Sequence, residues 1–272
     1  MPVDAQTRQE PAKTLQGMEV HASWTRHYRT SENERFYGLA FDHIAVLFGA
    51  PGDDAVVDAG CGSGTKTLHL LRRGYRVTAL DFSSLILAEA RTAIAEAGHS
   101  SAVEFQQADL TALALPTGSA RRVLCWGVLM HIPAEDKAVA ELARILAPGG
   151  TLVISEGNHR SVQAVTLRVL KRLLGRERAE VIRTPAGLEY WEATSTGRLL
   201  TRQADIPWLI AEFRRHGLML QERRAGQFSE LYTVMPWRFL RLCVHAFNNA
   251  WFRWLRMGGP AFGNLLVFRR SA

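Results

Sequence analysis

A carboxylate and three alternating glycines follow an apolar run in the first quarter of the chain. Residues 56–64 read Val-Val-Asp-Ala-Gly-Cys-Gly-Ser-Gly, which places Asp58 at the end of the apolar run and glycines at 60, 62 and 64. Glycine adopts positive φ angles without steric cost and lets a ligand lie close to the backbone. A buried strand, a tight turn and a helix after Thr65, its expected N-cap, predict the first βα unit of a nucleotide-binding sheet.

The spacing of these residues excludes two phosphate-binding motifs. A P-loop needs glycine directly before Lys-Ser/Thr, but here Thr65 precedes Lys66 and Thr67. The dinucleotide fingerprint needs a further glycine three residues after its second one, and Thr65 and Thr67 occupy the two positions where it would fall. The pattern that remains is Asp-x-Gly-x-Gly-x-Gly. A glycine-rich turn without such a ligand is the alternative.

This pattern resembles the first motif of the class I S-adenosylmethionine-dependent methyltransferases. The resemblance implies that S-adenosylmethionine binds here by its methionine end, with Asp58 near the amino group. The implied loop contacts are Gly60, Cys61, Gly62 and Gly64. Residues about 20–157 share the pattern. Within them His131-Ile-Pro, and the segment from Glu141 to Leu152, look like the small-molecule methyltransferases with a UbiE/UbiG-like core.

The second predicted strand, over residues 75–80, ends at another acid. Asp81 lies 21 residues after Gly60. A carboxylate accepts two hydroxyl hydrogens at once, so this position suits a ribose diol. Phe82 is expected to pack on the adenine face. The alternative role for Asp81, capping of the next helix, is already available to Ser83 and its neighbour.

The family resemblance also implies roles at the ends of the third and fourth strands. Asp109, after the strand over 102–107, would receive the adenine amine, and the Leu110 N–H would meet a ring nitrogen; a solvated Asp109 is the alternative. Backbone around Trp126 would hold the methionine end. Tyr28 precedes a helix over 33–48 that would lie over the cofactor, and it is expected either to contact the cofactor or to pack on the surface.

Methyl transfer to a hydroxyl requires that its proton be removed, and histidine has a suitable pKa. His131 follows the fourth strand, beside the expected methyl position, and is the leading candidate for the general base. His159, after the fifth strand, is the second. A helix-capping or packed His131 remains an alternative.

The order of elements predicts an α/β fold with a doubly wound Rossmann-like sheet. The family resemblance implies seven strands, of which the last is antiparallel, and a helical cap inserted after the fifth strand. We divide the chain into a disordered N-terminus, a cofactor-binding core, a substrate cap and a part that completes the core. The four parts are residues 1–17, 18–157, 158–202 and 203–272.

The basic excess lies in the second part of the chain. Residues 1–157 hold 14 Lys/Arg and 18 Asp/Glu, whereas residues 158–272 hold 19 and 8. This excess indicates either acidic partners and anionic surfaces or an arginine-rich solvated surface. A helix over 237–257 carries an aromatic stripe, for which we expect core packing. Bordering an apolar pocket and resting on a bilayer are the alternatives.

Three separated cysteines without metal-ligand spacing, and no leader-like apolar segment, predict free thiols, no metal site and a cytoplasmic protein, with membrane association as an alternative. The expected acceptor is a small, hydrophobic or lipid-like molecule, with O-methylation favoured. Nucleic acid is disfavoured because the Asn/Asp-Pro-Pro-Tyr/Phe and Pro-Cys signatures of base methyltransferases are absent. RNA methylation and cofactor binding without catalysis remain the competing hypotheses. The sequence gives no oligomeric state.

Overall fold

The computed structural model describes residues 30–175, 180–195 and 197–271. Tyr28 and the N-terminal segment 1–17 lie outside these ranges. The helices are α1 (Ser31–Phe48), α2 (Thr65–Leu71), α3 (Ser84–Glu96), α4 (Glu135–Ile145), α5 (Val162–Leu173), α6 (Ile206–Arg215) and α7 (Arg238–Ala250). The strands are β1 (Val56–Ala59), β2 (Val77–Asp81), β3 (Val103–Gln107), β4 (Ala120–Trp126), β5 (Leu146–Gly157), β6 (Glu180–Thr184), β7 (Gly187–Thr194), β8 (Gly197–Ala204), β9 (Leu218–Ala225) and β10 (Gly263–Arg270).

Seven of these strands form one sheet in the order β3-β2-β1-β4-β5-β10-β9. Strand β1 pairs in parallel with β2 and β4, while β10 lies antiparallel between β5 and β9. The order in which successive strands are added therefore reverses between β1 and β4. The carboxyl ends of these two strands flank the crevice in which such sheets bind ligands. The predicted doubly wound sheet with an antiparallel last strand is confirmed.

The sheet separates two hydrophobic layers, and alternate residues of its central strands supply one layer or the other. In β5, Leu152 and Ile154 pack with α4 and α6, whereas Val153 packs with α1, α2 and α3. Both faces of the central strands are covered, which explains their nearly continuous apolar sequences.

The insertion after β5 contains α5 and a three-stranded antiparallel sheet, β6-β7-β8. The sequence pattern predicted the helix but not the sheet. A two-residue connection, Pro185-Ala186, joins β6 to β7, and such short connections are typical of β-hairpins.

Helix α7 faces solvent with the stripe that was expected to pack in the core. Phe239 and Trp254, the latter in a π-helical turn that continues α7, are each 73% exposed. The helix instead packs through buried Asn248, whose side chain bonds the backbone N–H and C=O of Ser229. The expectation of core packing is therefore wrong for much of the stripe. No helix among the described residues has the length and apolar character needed to cross a bilayer.

Candidate functional site

A cavity of about 670 Å³ opens at the carboxyl ends of the parallel strands. Many of the predicted site residues line it: Gly60, Cys61, Gly62, Asp81, Phe82, Asp109, Leu110, Trp126 and His131. Asp58, Gly64 and His159 are not among its lining residues. One cavity thus brings together the ends of strands that lie far apart in the sequence.

The first two glycines of the loop serve different purposes. The N–H groups of Gly60 and Cys61 both donate to the Leu80 carbonyl at 2.8 Å, which ties the loop to β2. A Cβ on Gly60 (φ 84°) would lie 2.4 Å from Val128 Cγ2, whereas a Cβ on Gly62 (φ 53°) would meet no atom within 4 Å. Packing therefore requires glycine at position 60, and Gly62 leaves open space in the cavity.

The third glycine is needed for close packing between the loop and a core helix. Gly64 precedes the first helical residue, Thr65, and takes the cap position with φ 81°, so the prediction that Thr65 caps the helix is wrong. A Cβ at Gly64 would lie 3.1 Å from Ile94 Cδ1 and 3.3 Å from Ala90 Cβ. The glycine lets α3 pack closely against the loop.

Asp58 lies beneath the loop. Its Oδ2 accepts a hydrogen bond from the Thr67 hydroxyl at 2.7 Å, which joins the end of β1 to α2. Burial raises the pKa of this carboxyl to about 6, although Thr67 and Lys66 act in the opposite direction. The side chain is 1% exposed, so any effect on a ligand is transmitted through the loop.

Asp81 is held by the backbone on both of its oxygens. Gly62 N–H donates to Oδ2 at 2.9 Å and Ser83 N–H donates to Oδ1 at 3.0 Å. The cap of α3 is Ser83, whose Oγ accepts from Ile86 N–H. The helix-capping alternative for Asp81 is therefore wrong, and its carboxylate lines the cavity in a fixed orientation.

Asp109 and Leu110 line the cavity on the β3 side. Asp109 Oδ1 accepts hydrogen bonds from the N–H and the hydroxyl of Thr111, both at 2.8 Å, so a local turn orients the carboxylate. Leu110 is buried and presents an apolar wall. Phe82 lies in the same wall at the tip of β2.

Helix α1 lies over the loop, but with residues that the sequence pattern did not single out. Phe36 and Tyr37 line the cavity, and Lys66 Nζ lies 3.5 Å from the centre of the Tyr37 ring. Burial raises the pKa of Tyr37. Lys66 lies two residues after Gly64, and this proximity to the glycine loop could have marked it as a site residue from the sequence.

His131 ends a single 3-10 turn, Leu129–His131, that follows β4. Its Nδ1 lies 2.7 Å from the Leu200 carbonyl oxygen. A carbonyl only accepts hydrogen bonds, so Nδ1 carries the hydrogen and Nε2 is the basic nitrogen of the neutral ring. His131 lines the cavity, and the Leu200 carbonyl on β8 sets its tautomer.

His159 has a different environment. Its Nε2 lies 3.1 Å from Asp205 Oδ2, which Arg160 also contacts. Its backbone N–H donates to the Ala204 carbonyl, because the chain after β5 turns towards the β6-β7-β8 sheet. The predicted second base therefore belongs to a polar cluster outside the cavity lining.

A buried ion-pair network joins the insertion after β5 to the rest of the fold. Arg202 on β8, with a side chain 3% exposed, pairs with Glu189 on β7 and with Glu135 at the start of α4. The same guanidinium donates to the carbonyls of Leu129 and Ile132, at 3.1 and 3.0 Å. This network fixes the turn that carries His131, and no local sequence signal indicated it.

Glu156, on β5, is a further acid that the sequence pattern missed. It lines the cavity, is 2% exposed, and its Oε1 accepts from Leu129 N–H at 3.0 Å. Burial, followed by the neighbouring Glu135, raises the pKa of this carboxyl to about 8. The available signal in the sequence was an acid at the carboxyl end of an apolar run, as for Asp58.

Comparison with known proteins identifies the family. A model described as a methyltransferase domain matches residues 56–150. The ubiquinone biosynthesis O-methyltransferase of Xanthomonas campestris pv. campestris is 30% identical over 192 residues, which cover 68% of this chain and 77% of that protein. The chain belongs to the class I S-adenosylmethionine-dependent methyltransferases. S-adenosylmethionine is therefore the cofactor of this methyltransferase.

Two further proteins are similar to parts or most of the chain. An uncharacterised Synechococcus protein is 38% identical over 105 residues, 38% of the methyltransferase, and the match spans only 25% of that protein's length. A solved protein from Pyrococcus horikoshii OT3 superposes with a TM-score of 0.61 at 16% identity, over 93% of the methyltransferase and 99% of that chain. This second likeness establishes the fold alone.

Proposed function

We propose that the methyltransferase transfers a methyl group to a hydroxyl of a small, largely apolar acceptor that shares the cavity with the cofactor. The observation that carries this proposal is the continuity of the cavity. It extends from Asp81 and Asp109, beside β2 and β3, to an end beside β4 and β5 where apolar side chains lie among polar ones. The apolar side chains there are Met130, Ile132 and Phe262, and the polar ones include Gln203, Gln227 and Glu230. Ligand sites of this kind combine apolar walls with a few placed polar groups.

Three features support placing the cofactor on the β1–β3 side. Asp81 offers an acceptor pair, oriented by two backbone N–H groups, to a ribose diol. Phe82 and Leu110 offer apolar surface to adenine, with Asp109 at the edge for its amine. The open space above Gly62 leaves room for the methionine end, with Cys61 and Trp126 beside it.

When bound, the cofactor supplies a methyl group made electrophilic by a positively charged sulfur. The protein must align the acceptor, exclude water and receive a proton. We assign the proton to His131 Nε2, because Nδ1 is engaged by Leu200 and the ring lines the cavity next to Met130 and Ile132. His159 has no role in this proposal because it pairs with Asp205.

We propose that residues 158–202 form the substrate cap, between the cofactor-binding core and the part that completes it. Thr201 and Arg202 at the end of this segment, and Gln203 after it, line the cavity. Arg202 also secures the cap to the core. A cap that closes one wall of the cavity would exclude water from the acceptor.

The name of the Xanthomonas relative, a ubiquinone biosynthesis O-methyltransferase, supports an oxygen nucleophile and a lipid-like acceptor. The test is incubation with methyl-labelled cofactor and a fractionated cell extract. We expect label in the lipid or small-metabolite fraction, and label in RNA with a steep salt dependence would contradict the proposal. The His131→Asn variant should lose turnover by about 10²-fold or more, with an altered pH profile.

We further propose that the α7 face contacts an anionic membrane surface. Trp237, Phe239, Trp254 and Leu255 are exposed, and α7 and its π-helical turn carry arginines without a single acid: Arg238, Arg241 and Arg253. Exposed aromatics flanked by arginines suit the bilayer interface, where the rings insert and the guanidinium groups meet phosphates.

Flotation with phosphatidylglycerol vesicles at moderate salt tests this contact. We expect recovery of the protein with the vesicles and at least a several-fold loss for Phe239→Ser/Trp254→Ser. The matched control is Val46→Ser/Leu85→Ser, which removes two exposed apolar side chains elsewhere. Equal recovery of both double variants would contradict the proposal, as would self-association through α7 without vesicle binding.

A further inference from the structure

The carboxyl group of Glu156 is buried with one oxygen unused. Oε1 accepts from Leu129 N–H at 3.0 Å, whereas Oε2 has no hydrogen-bond partner among the residues that the structure describes. The group nevertheless lines the cavity. A buried carboxylate with one unpaired oxygen and no cation beside it is disfavoured, so such a group either keeps its proton or is completed by a cationic ligand.

The charged and titratable groups packed around Glu156 do not supply that cation. Glu135, on α4, is itself an acid and raises the pKa of Glu156. Arg202, on β8, favours ionisation but is already paired with Glu135 and Glu189. Cys125, on β4, has a pKa raised by burial and by Glu156.

The position of Glu156 in the sheet is next to the expected methyl donor. The parallel strands run β2-β1-β4-β5, and their carboxyl ends carry Asp81, the glycine loop, Trp126 and Glu156 in that order. If Asp81 binds the ribose and the loop binds the methionine end, the sulfonium lies on the β4 side of the ribose. Glu156 faces the same cavity from the next strand.

We propose that Glu156 is the charge partner of the cofactor's sulfonium: its carboxyl is neutral in the free protein and releases its proton to solvent when S-adenosylmethionine binds. This inference rests on the proposed placement of the cofactor in the cavity. The demethylated product, S-adenosylhomocysteine, has a neutral sulfur and leaves the Glu156 proton in place. The carboxyl therefore favours the charged cofactor over the neutral product, which eases product release.

The raised pKa of Glu156, about 8, sets the conditions of the test. At pH 6.5 the free protein carries the proton, and the α-amino groups of both ligands are also protonated. Calorimetry in buffers of different ionisation enthalpy counts released protons. We expect the wild-type protein to release on the order of one proton with S-adenosylmethionine and close to none with S-adenosylhomocysteine.

Three variants locate the proton. Glu156→Gln keeps an acceptor for Leu129 N–H but has no titratable proton, so proton release should vanish and the preference for the charged ligand should fall several-fold. Glu104→Gln, an exposed glutamate on β3, is the matched control and should behave as wild type. A His131→Asn variant should retain the release, since the proton belongs to Glu156.

Equal proton release with both ligands in the wild-type protein would overturn the inference, and this comparison does not depend on the folding of any variant. Release that persists in Glu156→Gln would also overturn it. These results would leave the proposed cofactor site intact. If neither ligand binds, the proposed site itself fails, and this inference fails with it.

Discussion

Gly62 N–H donates a hydrogen bond to Asp81 Oδ2 at 2.9 Å, which joins the glycine loop after β1 to the tip of β2. The two residues are 19 positions apart. The bond orients the Asp81 carboxylate while it fixes the loop above Asp58. A ligand that contacts one of these elements therefore meets a preformed geometry in the other, which reduces the entropy lost on binding.

Asp81→Asn should weaken binding of S-adenosylhomocysteine by about 10- to 100-fold, because a charge-assisted hydrogen bond contributes about 1.5–3 kcal/mol. The amide NH₂ of the variant would also face one of the two backbone N–H groups that donate to Asp81, so one of these hydrogen bonds would be lost. Calorimetric titration measures the change. Asp136→Asn, an exposed acid on α4, is the control. Unchanged affinity would rule out the ribose contact.

Gly60→Ala and Gly62→Ala should separate packing from binding. Gly60→Ala combines a positive φ with a collision at Val128, so we expect a loss of about 2–4 kcal/mol in the free energy of unfolding. Gly62→Ala has only the backbone strain, about 1–2 kcal/mol, but its methyl enters the cavity and should weaken cofactor binding. Denaturant melts and calorimetry distinguish the two. Val128→Ala should partly restore the Gly60→Ala protein, and failure to do so would contradict the packing explanation.

Asp58→Asn should stabilise the protein at neutral pH. The folded pKa of Asp58, about 6, lies above its ordinary value of 3.8, so the folded state binds this proton more tightly than the unfolded chain does. The contribution of the carboxyl to stability therefore falls as pH rises from about 4 to about 6. We expect the variant to gain about 1–3 kcal/mol over wild type at pH 7 and little at pH 4.

Urea melts at both pH values measure the effect of Asp58→Asn. Asp53→Asn, an exposed acid before β1, is the control and should show no pH-dependent gain. A gain of equal size at pH 4 and pH 7 would show that the substitution acts through packing and not through the ionisation of Asp58.

Arg202→Met should destabilise the protein by about 3–5 kcal/mol, because it leaves Glu135 and Glu189 buried without their cation. Adding Glu135→Gln and Glu189→Gln removes the unpaired charges and should recover much of the loss. Guanidinium denaturation measures both variants. A triple variant no more stable than Arg202→Met would show that the loss comes from the freed carbonyls of Leu129 and Ile132.

Predictions from the sequence were accurate where local spacing decides the structure. An acid at the end of each of β1 and β2 was placed correctly beside the glycine loop, since neighbouring parallel strands end at the same edge of the sheet. The same rule applied to β5 would have found Glu156. The N-cap of α2 was misassigned because glycine at position 64 is needed for packing against α3, a contact that local sequence does not reveal.

The structure of the insertion after β5 was predicted less well. A hairpin signal at Pro185-Ala186 was overlooked, and the pairing of Arg202 with Glu135 joins residues far apart in the chain. His131 was expected near the acceptor, but its tautomer depends on the Leu200 carbonyl, 69 residues away. The aromatic stripe of α7 was assigned to the core, although the buried face of that helix is built around Asn248.

The sequence by itself determined the sheet, the glycine loop and the family, because short motifs recur at fixed distances from strand ends. Only the tertiary structure decided what surrounds the end of the cavity beside β4 and β5, where we propose that the acceptor binds. Its walls come from β4, β5, the cap and the segment after β9, where Gln227 lies. Contacts between such distant segments depend on how the elements pack, and no periodicity within any one of them encodes that arrangement.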